Sequence, residues 1–442
     1  MRSRSGRSTD RSNRLPRRSP LPDVYLFPAV VGGGLGDIEE TLAAGRRLAA
    51  VGCPVRLYQS PGRPLPREVD GPWDWPRSLR RVTRLAPRSP SALTVVPAWG
   101  VSAAPWRAGA LGRAGPWAEE AEEVERAYGS RSTLHISLEE FARTLPVAVE
   151  NRERLREGGV PAHALSGRLR ASKEDGDLDR FRQAFHRFRA FDRPNVLHVF
   201  ATFRRDPTFA REFPAAVQTG PLWPGRYAPA GRRSSSGRAT HHVVWYASPA
   251  SAERIAPSVV QGLTDRGTKT RLLIRTPRPW TRVRFPTWVE VASAPFSAAR
   301  WSAEFRTSDL RIVTGSRTLL EALEVGGPFL YFNGILGEAS RTRRHRPEKI
   351  IALLEAYRQR LAPDVRRDLG DFARGRRVTP VVRRAADRAG GWRRFPTHWG
   401  DPTFRPPFDE GGALIVAVAR ALARAPTDAA GIVQRVRAGS NP

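Results

Sequence analysis

Residues 308–328 read SDLRIVTGSRTLLEALEVGGP, and this stretch decides the predicted fold. Leu310–Val313, apolar except for Arg311, predicts a strand, and the apolar spacing of Leu319–Val325 predicts a helix. A helix that starts after a turn of small residues presents free backbone N–H groups and the positive end of its dipole, so a phosphate fits there. An ordinary strand–helix turn, with small residues for packing, is the alternative. The turn residues are Thr314, Gly315 and Ser316.

The helix of this stretch also places a carboxylate behind the turn. Glu321 lies about two turns into the helix, where it can accept hydrogen bonds from the hydroxyls of a ribose. Gly326 ends the helix, and Pro328 begins the next strand. The stretch therefore predicts a nucleotide site at the end of a buried strand.

The same alternation of short strands and helices extends over both halves of the chain. It predicts parallel sheets with both faces covered, and therefore an α/β protein with two doubly wound, Rossmann-like domains that face a cleft. In the first half, Val24–Val30 predicts a strand, Gly32–Asp37 a tight loop, Ile38–Val51 a helix and Val55–Tyr58 a strand. In the second half, the predicted strands are Val243–Tyr246, Thr270–Arg275, Val289–Val291 and Phe329–Phe332, and the predicted helices are Ala252–Arg266 and Ser297–Thr307.

Composition and turn residues divide the chain into four predicted parts. Residues 1–20 are a disordered basic tail, 21–218 the first Rossmann-like domain, 219–408 the second, and 409–442 a tail whose helix over Gly412–Arg424 packs on the body. Ser137 and Glu140 have capping-box spacing and predict the start of a helix. Further predictions in the first domain are an irregular segment Pro61–Pro90, strands Leu93–Pro97 and Val196–Phe200, helices Trp117–Tyr128, Ser137–Arg156 and Leu178–Phe191, and a turn over Val217–Pro224.

Charge and cysteine content narrow the class of protein. The chain has 74 Lys and Arg against 43 Asp and Glu, a net charge of +31. Such a field attracts phosphates, nucleic acid and anionic lipid headgroups, although arginine-rich codon usage explains the same excess without a ligand. The single cysteine, Cys53, excludes an internal disulfide and a thiolate metal cluster. We expect a cytoplasmic protein, because the sequence shows neither a secretory signal nor a membrane-spanning run.

The spacing around Glu321 resembles a known family. Thr314 and Gly315 stand seven and six residues before Glu321, and Gly326 and Pro328 stand five and seven residues after it. This pattern resembles the donor site of GT-B glycosyltransferases, most closely the inverting lipid-linked N-acetylglucosaminyltransferase of peptidoglycan synthesis and the UDP-glycosyltransferases. The retaining pattern needs a glutamate eight residues before Glu321, where this chain has Val313.

The resemblance implies roles for residues in both domains. Asp37 stands where the family often has a histidine, and we expect it to act as the general base; capping the helix that follows is the alternative, and one side chain can do both. Arg275 ends a predicted parallel strand, so we expect it to contact phosphate. The family's Asp-Gln or Asn-Gln pair is replaced here by Asn333 and Gly334. The implied acceptor-side loop contains Gly33, Gly34 and Gly36, and the implied donor-binding residues are Ser248, Ser251, Phe296, Thr314, Gly315, Ser316, Thr318, Glu321 and Asn333.

The activity implied by the resemblance is inverting, metal-independent transfer of a hexosyl or N-acetylhexosaminyl group. The donor is a nucleotide-sugar, expected to be a UDP-sugar, and no cofactor or specific nucleic acid is expected. The acceptor and the oligomeric state stay open; an anionic or membrane-associated acceptor, with the protein peripheral at the inner face of the membrane, is compatible with the charge. Two alternatives stay open as well: a sugar-nucleotide epimerase of the same fold, and a catalytically silent basic binding protein.

Overall fold

The computed structural model describes two parallel β-sheets and the helices around them. The sheet built from the first half of the chain is called sheet 1, and the sheet built from the second half is called sheet 2. The described residues are 20–27, 36–59, 80–97, 116–140, 193–201, 216–223, 240–247, 250–264, 269–276, 283–293, 298–314, 316–332, 350, 353–354, 358–359, 361–387, 409–440 and 442.

Within these ranges sheet 1 has seven strands. They are β1 Asp23–Leu26, β2 Val55–Tyr58, β3 Arg80–Val82, β4 Ala92–Pro97, β5 Thr133–Glu140, β6 Val196–Ala201 and β7 Ala216–Thr219. Their order is β3-β2-β1-β4-β5-β6-β7, and all neighbours are parallel. The described helices of this half are α1 Gly36–Ala50 and α2 Pro116–Tyr128.

Sheet 2 has five described strands in the order β10-β9-β8-β11-β12, again all parallel. They are β8 His241–Tyr246, β9 Thr270–Thr276, β10 Val289–Ser293, β11 Leu310–Val313 and β12 Phe329–Tyr331. The described helices of this half are α3 Ala250–Thr264, α4 Ala298–Thr307, α5 Ser316–Val325, α6 Pro363–Ala373 and α7 Val378–Ala386. Strands and helices share one apolar core, which includes Trp245, Ile274, Ile312 and Leu323.

Two helices at the end of the chain return to sheet 1. They are α8 Glu410–Arg424 and α9 Ala429–Arg437. Ile415, Leu422 and Ile432 lie in the same apolar core as Leu42 of α1 and Leu93 of β4. Each such buried side chain contributes about 1.5–3 kcal/mol, so this core fastens the end of the chain to the first half.

The start of α8 also contacts Gly220, in the segment that connects the two sheets. The Glu410 carboxylate accepts the N–H of Gly220 at 3.0 Å, and Asp409 pairs with Arg47 of α1 at 2.8 Å. A Cβ on Gly411 would lie 3.0 Å from the Gly220 carbonyl oxygen. Any larger residue at this position would push α8 away from Gly220 by a few tenths of an ångström, so glycine favours this close approach.

The two faces of sheet 1 differ in chemistry, although both are buried. Side chains such as Leu26, Leu93 and Ile136 form the apolar face, which packs under α1, α8 and α9. The opposite face contacts α2 and is largely polar. Its members include Asp23, Tyr25, Arg56, Thr94, His135, Ser137 and His198.

Three segments of sheet 1 differ from the sequence prediction. A helix is predicted over Ser137–Arg156, but Ser137–Glu140 belong to β5, and residues 141–156 lie outside the described ranges. The apolar alternation that ends at Leu138 is buried between β4 and β6, and this pairing overrides the local capping signal. Two short strands were also missed: β3 lies in the segment predicted as irregular, and β7 overlaps the predicted turn. Both gain their order from a parallel neighbour.

The other predicted strands and helices in the described ranges are confirmed, with ends shifted by a few residues. The α/β prediction with two doubly wound parallel sheets is confirmed by the strand orders. The predicted tail over residues 1–19 and the predicted helix over Leu178–Phe191 lie outside the described residues.

Candidate functional site

The strand order of sheet 2 defines where a ligand can bind. The chain leaves the central strand β8 toward β9 and β10, and then crosses to β11 on the other side of β8. The connections after β8 and β11 therefore diverge, and ligands of doubly wound folds bind in the crevice at the carboxyl ends of such strands. The predicted donor loops follow these two strands. Ala247 and Thr314, the residues directly after them, are both buried.

The turn after β11 is tied together by its own threonines. The Thr318 hydroxyl donates a hydrogen bond to the Thr314 carbonyl oxygen, across one helical turn at the start of α5. This bond closes the first turn of the helix, while the leading backbone N–H groups of α5 have no acceptor within the helix. The predicted helix start after β11 is therefore present, and phosphate binding there stays a prediction.

Glu321 is buried on α5, with 3% of its surface exposed. Its charge acts on the phenol of Tyr246, the last residue of β8. Burial raises the pKa of Tyr246, the positive charge of Arg275 lowers it, and the carboxylate of Glu321 raises it. The net pKa is raised, so the Tyr246 hydroxyl remains protonated and able to donate a hydrogen bond at neutral pH.

Arg275 is held at the same edge of the sheet by two aromatic rings. Its guanidinium carbon lies 5.8 Å from the centre of the Tyr246 ring and 5.3 Å from that of Trp301. The two rings are 6.0 Å apart and tilted at 56°. A guanidinium stacked in this way keeps a fixed orientation and a weakly hydrated charge. Tyr246 and Trp301 were not predicted as site residues.

The rear of α5 is fixed by a buried arginine of β11. Arg311 donates to the carbonyl oxygens of Gly326 at 2.7 Å, Phe305 at 2.8 Å, Ser308 at 3.2 Å and Arg306 at 3.3 Å. These carbonyls lie at the ends of α4 and α5, where helices leave acceptors unsatisfied. Gly326 and the next glycine, Gly327, have φ of 79° and 82°, a region that favours glycine. Arg311 thus fixes α5 relative to the strand that precedes it.

Helix α1 follows the corresponding position in sheet 1. Strand β1 lies between β2 and β4, so the strand order of sheet 1 also reverses beside β1. Helix α1 lies against α5 of the other half, which brings together the helices that follow the two reversal points. Gly36 and Asp37 form the start of α1.

The structure describes the predicted site residues to different extents. The side chains of Arg275, Thr314, Thr318 and Glu321 are placed at or beside the carboxyl edge of sheet 2, as given above. Helical backbone alone is described for Gly36, Asp37, Ser251 and Ser316. Outside the described residues lie Gly33, Gly34, Ser248, Phe296, Gly315 and Asn333.

A second polar cluster lies on the polar face of sheet 1. Asp23 accepts hydrogen bonds from Arg56 at 2.7 Å, Tyr128 at 2.7 Å, and the N–H groups of Arg88 at 2.8 Å and Ser89 at 3.0 Å. Burial alone would raise the pKa of Asp23, but these bonds together lower it. The carboxylate is fully buried and its bonds come from the protein itself, so the cluster is structural.

His135 extends this cluster toward the centre of sheet 1. Its Nδ1 lies 2.6 Å from the Thr94 hydroxyl, and its Nε2 lies 2.8 Å from a Glu125 carboxylate oxygen. Burial lowers the pKa of His135. The hydrogen bond with His135 lowers the pKa of Glu125. The histidine and the threonine are fully buried, which leaves no path for a substrate.

Comparison with solved structures finds glycosyltransferases at low identity. A UDP-glucosyltransferase from Polygonum tinctorium is 12% identical with a TM-score of 0.42, over 94% of this chain and 99% of that one. The glycotransferase of kitacinnamycin is 14% identical with a TM-score of 0.41, over 96% and 100%. SnogD, a glycosyltransferase from Streptomyces nogalater, is 17% identical with a TM-score of 0.38, over 90% and 99%. Values this low carry no functional argument, and we infer function from the chain's own residues.

Scanned against protein-family models and curated proteins, the sequence has no match in either. In the described residues, no helix combines the length and the apolar character that a membrane crossing requires.

Proposed function

We propose that this chain transfers a hexosyl or N-acetylhexosaminyl group from a UDP-sugar to an acceptor hydroxyl, with inversion and without a metal ion. The proposal is supported mainly by one observation. At the carboxyl ends of β8 and β9 the Arg275 guanidinium lies over the Tyr246 ring, and Glu321 is buried on α5, the helix that follows the neighbouring strand β11. Helix α5 starts beside them. A nucleoside diphosphate needs these groups: hydrogen-bond acceptors for its ribose and positive charge for its phosphates.

The donor half of the reaction concerns the leaving diphosphate. As the bond between the anomeric carbon and the phosphate oxygen breaks, the electron pair stays on that oxygen and negative charge develops there. The positive end of the α5 dipole and the Arg275 guanidinium stabilise this charge. Glu321 orients the nucleotide by accepting hydrogen bonds from the ribose hydroxyls.

The acceptor half concerns the start of α1. The acceptor oxygen attacks the anomeric carbon from the face opposite the diphosphate, and its proton passes to the Asp37 carboxylate. Asp37 lies in the first turn of α1, and α1 lies against α5. The proposed base, Asp37, thus lies on the helix of the first half that contacts α5 of the donor site.

The catalytic assignment is tested by changing Asp37 to Asn. We expect turnover to fall about 100-fold or more, the usual contribution of a general base, while the affinity for UDP changes less than about twofold, because the nucleotide contacts lie on sheet 2. Turnover is measured as UDP release from UDP-glucose and UDP-N-acetylglucosamine with a panel of sugar, phenol and lipid acceptors.

Glu39→Gln on the same helix is the matched control, since Glu39 pairs with Arg46 at 3.2 Å; it should keep full turnover. An Asp37→Asn variant that stays active removes Asp37 from the mechanism. Epimerised UDP-sugar formed without any acceptor supports the epimerase alternative instead.

A further inference from the structure

Tyr246 occupies the central position of the candidate donor site, yet its hydroxyl makes no hydrogen bond that stabilises the described fold. Within the described part of the chain, no residue hydrogen-bonds this hydroxyl; its contacts are the Trp301 ring and the Arg275 guanidinium. The Tyr246 side chain is partly exposed. Its hydroxyl therefore keeps a hydrogen-bonding capacity that no described residue uses and that a ligand can use.

The neighbour of Tyr246 across the sheet is a cation. Tyr246 and Arg275 are register partners in the β8–β9 pair, so their side chains project from the same face at the same level. The stacking on Tyr246 and Trp301 restricts the guanidinium, whose planar set of donors matches the oxygens of a phosphate. A neutral phenol donor and a guanidinium thus lie side by side at the edge where β8 ends.

Arg271, on the same strand as Arg275, forms ion pairs within the protein and serves as a comparison. It lies four residues earlier on β9, and hence on the same face. Its guanidinium pairs with Glu290 at 3.1 Å and with Glu304 at 3.0 Å, near the amino ends of the strands. Arg271 thus lies near the amino ends of the strands, whereas Arg275 lies at their carboxyl ends beside the rings of Tyr246 and Trp301.

We propose that Tyr246 and Arg275 together recognise the second phosphate of the donor, with the Tyr246 hydroxyl donating to a phosphate oxygen that Arg275 neutralises. The site then selects a nucleoside diphosphate over a monophosphate. The start of α5 supplies positive charge for one phosphate, and Glu321 is committed to the ribose, so this pair remains for the other. The inference rests on the proposed function and adds to it the two residues that hold the second phosphate of the donor.

The test compares uridine, UMP and UDP by calorimetry on the full chain. Tyr246→Phe removes one hydroxyl, and a hydrogen bond to a charged group is worth about 10-fold or more in affinity. We expect Tyr246→Phe to weaken UDP by about that factor and to leave UMP and uridine within about twofold. Arg275→Lys keeps the charge but loses the planar donors, and should also weaken UDP selectively. Arg271→Lys is the matched control and should bind all three like the wild type.

Each outcome decides between the two proposals. If the wild type binds UDP and Tyr246→Phe binds it equally well, the role of Tyr246 is wrong and the proposed function stands. An equal loss for UDP, UMP and uridine also overturns the phosphate assignment, because the hydroxyl then serves the nucleoside. If the wild type binds none of the three, the proposed function fails together with this inference. Thermal unfolding of each variant shows whether it is folded. If Arg275→Lys does not fold, the affinities of Tyr246→Phe alone are enough to test the inference.

Discussion

Sheets 1 and 2 both bury ionisable side chains against a parallel sheet, but at different places and with different partners. In sheet 1, Arg56 and Tyr128 both donate to the Asp23 carboxylate beside the amino end of β1. In sheet 2, Tyr246 and Arg275 lie at the carboxyl ends of their strands, and the Tyr246 hydroxyl has no bond to any described residue. Groups that satisfy one another contribute stability, whereas a hydroxyl without a partner among the described residues, placed where the strand order reverses, can bind a ligand.

Removal of the Asp23 carboxylate should give the largest effect on stability. Asp23→Ala leaves Arg56 half-buried without its 2.7 Å partner, and losing one member of a buried pair costs about 3 kcal/mol or more. Chemical denaturation should show this loss, while UDP affinity stays at the wild-type value. A variant that unfolds like the wild type would show that the network of sheet 1 is not structural.

Acid should destabilise sheet 1 through His135. Its pKa in the folded protein is below the ordinary value of 6.5 because it is buried, so the unfolded chain binds the proton more readily. Stability is therefore complete above pH 6.5 and falls as pH drops below it, by at most about 1.4 kcal/mol per pH unit. The lowered pKa of Glu125 adds a loss of the same sign at lower pH. Unfolding midpoints are measured from pH 7.5 to 5 for the wild type and for His135→Asn. The midpoint of the wild type should fall more steeply with acid than that of the variant, and equal slopes would contradict the contribution of His135.

Two tyrosines give the sharpest contrast between the sheets. The Tyr58 hydroxyl donates to Glu123 at 2.6 Å, and Tyr58→Phe should lower the free energy of unfolding by about 1 kcal/mol without changing nucleotide affinity. Tyr246→Phe should do the reverse, since its hydroxyl has no bond to lose among the described residues. If both variants lose stability alike, the distinction between the two sheets disappears.

The sequence was informative where a strand is mostly apolar. Val24–Leu26 and Leu310–Val313 were located from their apolar residues, which are abundant in parallel strands covered on both faces, although the second strand also carries the buried Arg311. Strand β5 alternates apolar residues with His135 and Ser137, and its polar half suggested a helix start. Pairing with β4 and β6 determines the secondary structure of this segment. That pairing involves residues distant in sequence, so local sequence patterns do not predict it.

The residues of the candidate site also differ in whether local sequence patterns could predict them. Glu321 and the turn before α5 were predicted as site residues because they lie within one short stretch with a known physical use. Tyr246 was not predicted, because the role proposed for it depends on its register with Arg275, which stands 29 residues later. The network around Asp23 was missed for the same reason, since Tyr128 lies 105 residues away in sequence.

We propose that a nucleotide binds where β8 and β11 end, with Glu321 on its ribose. Calorimetric titration of UDP into the wild type, Glu321→Gln and Glu324→Gln tests this binding mode. Glu324 is buried on the same helix with 2% of its surface exposed, so it controls for the loss of a buried carboxylate. We predict that Glu321→Gln binds UDP about 10-fold more weakly or worse, while Glu324→Gln binds it within about twofold of the wild type. Wild-type affinity in Glu321→Gln would contradict the account.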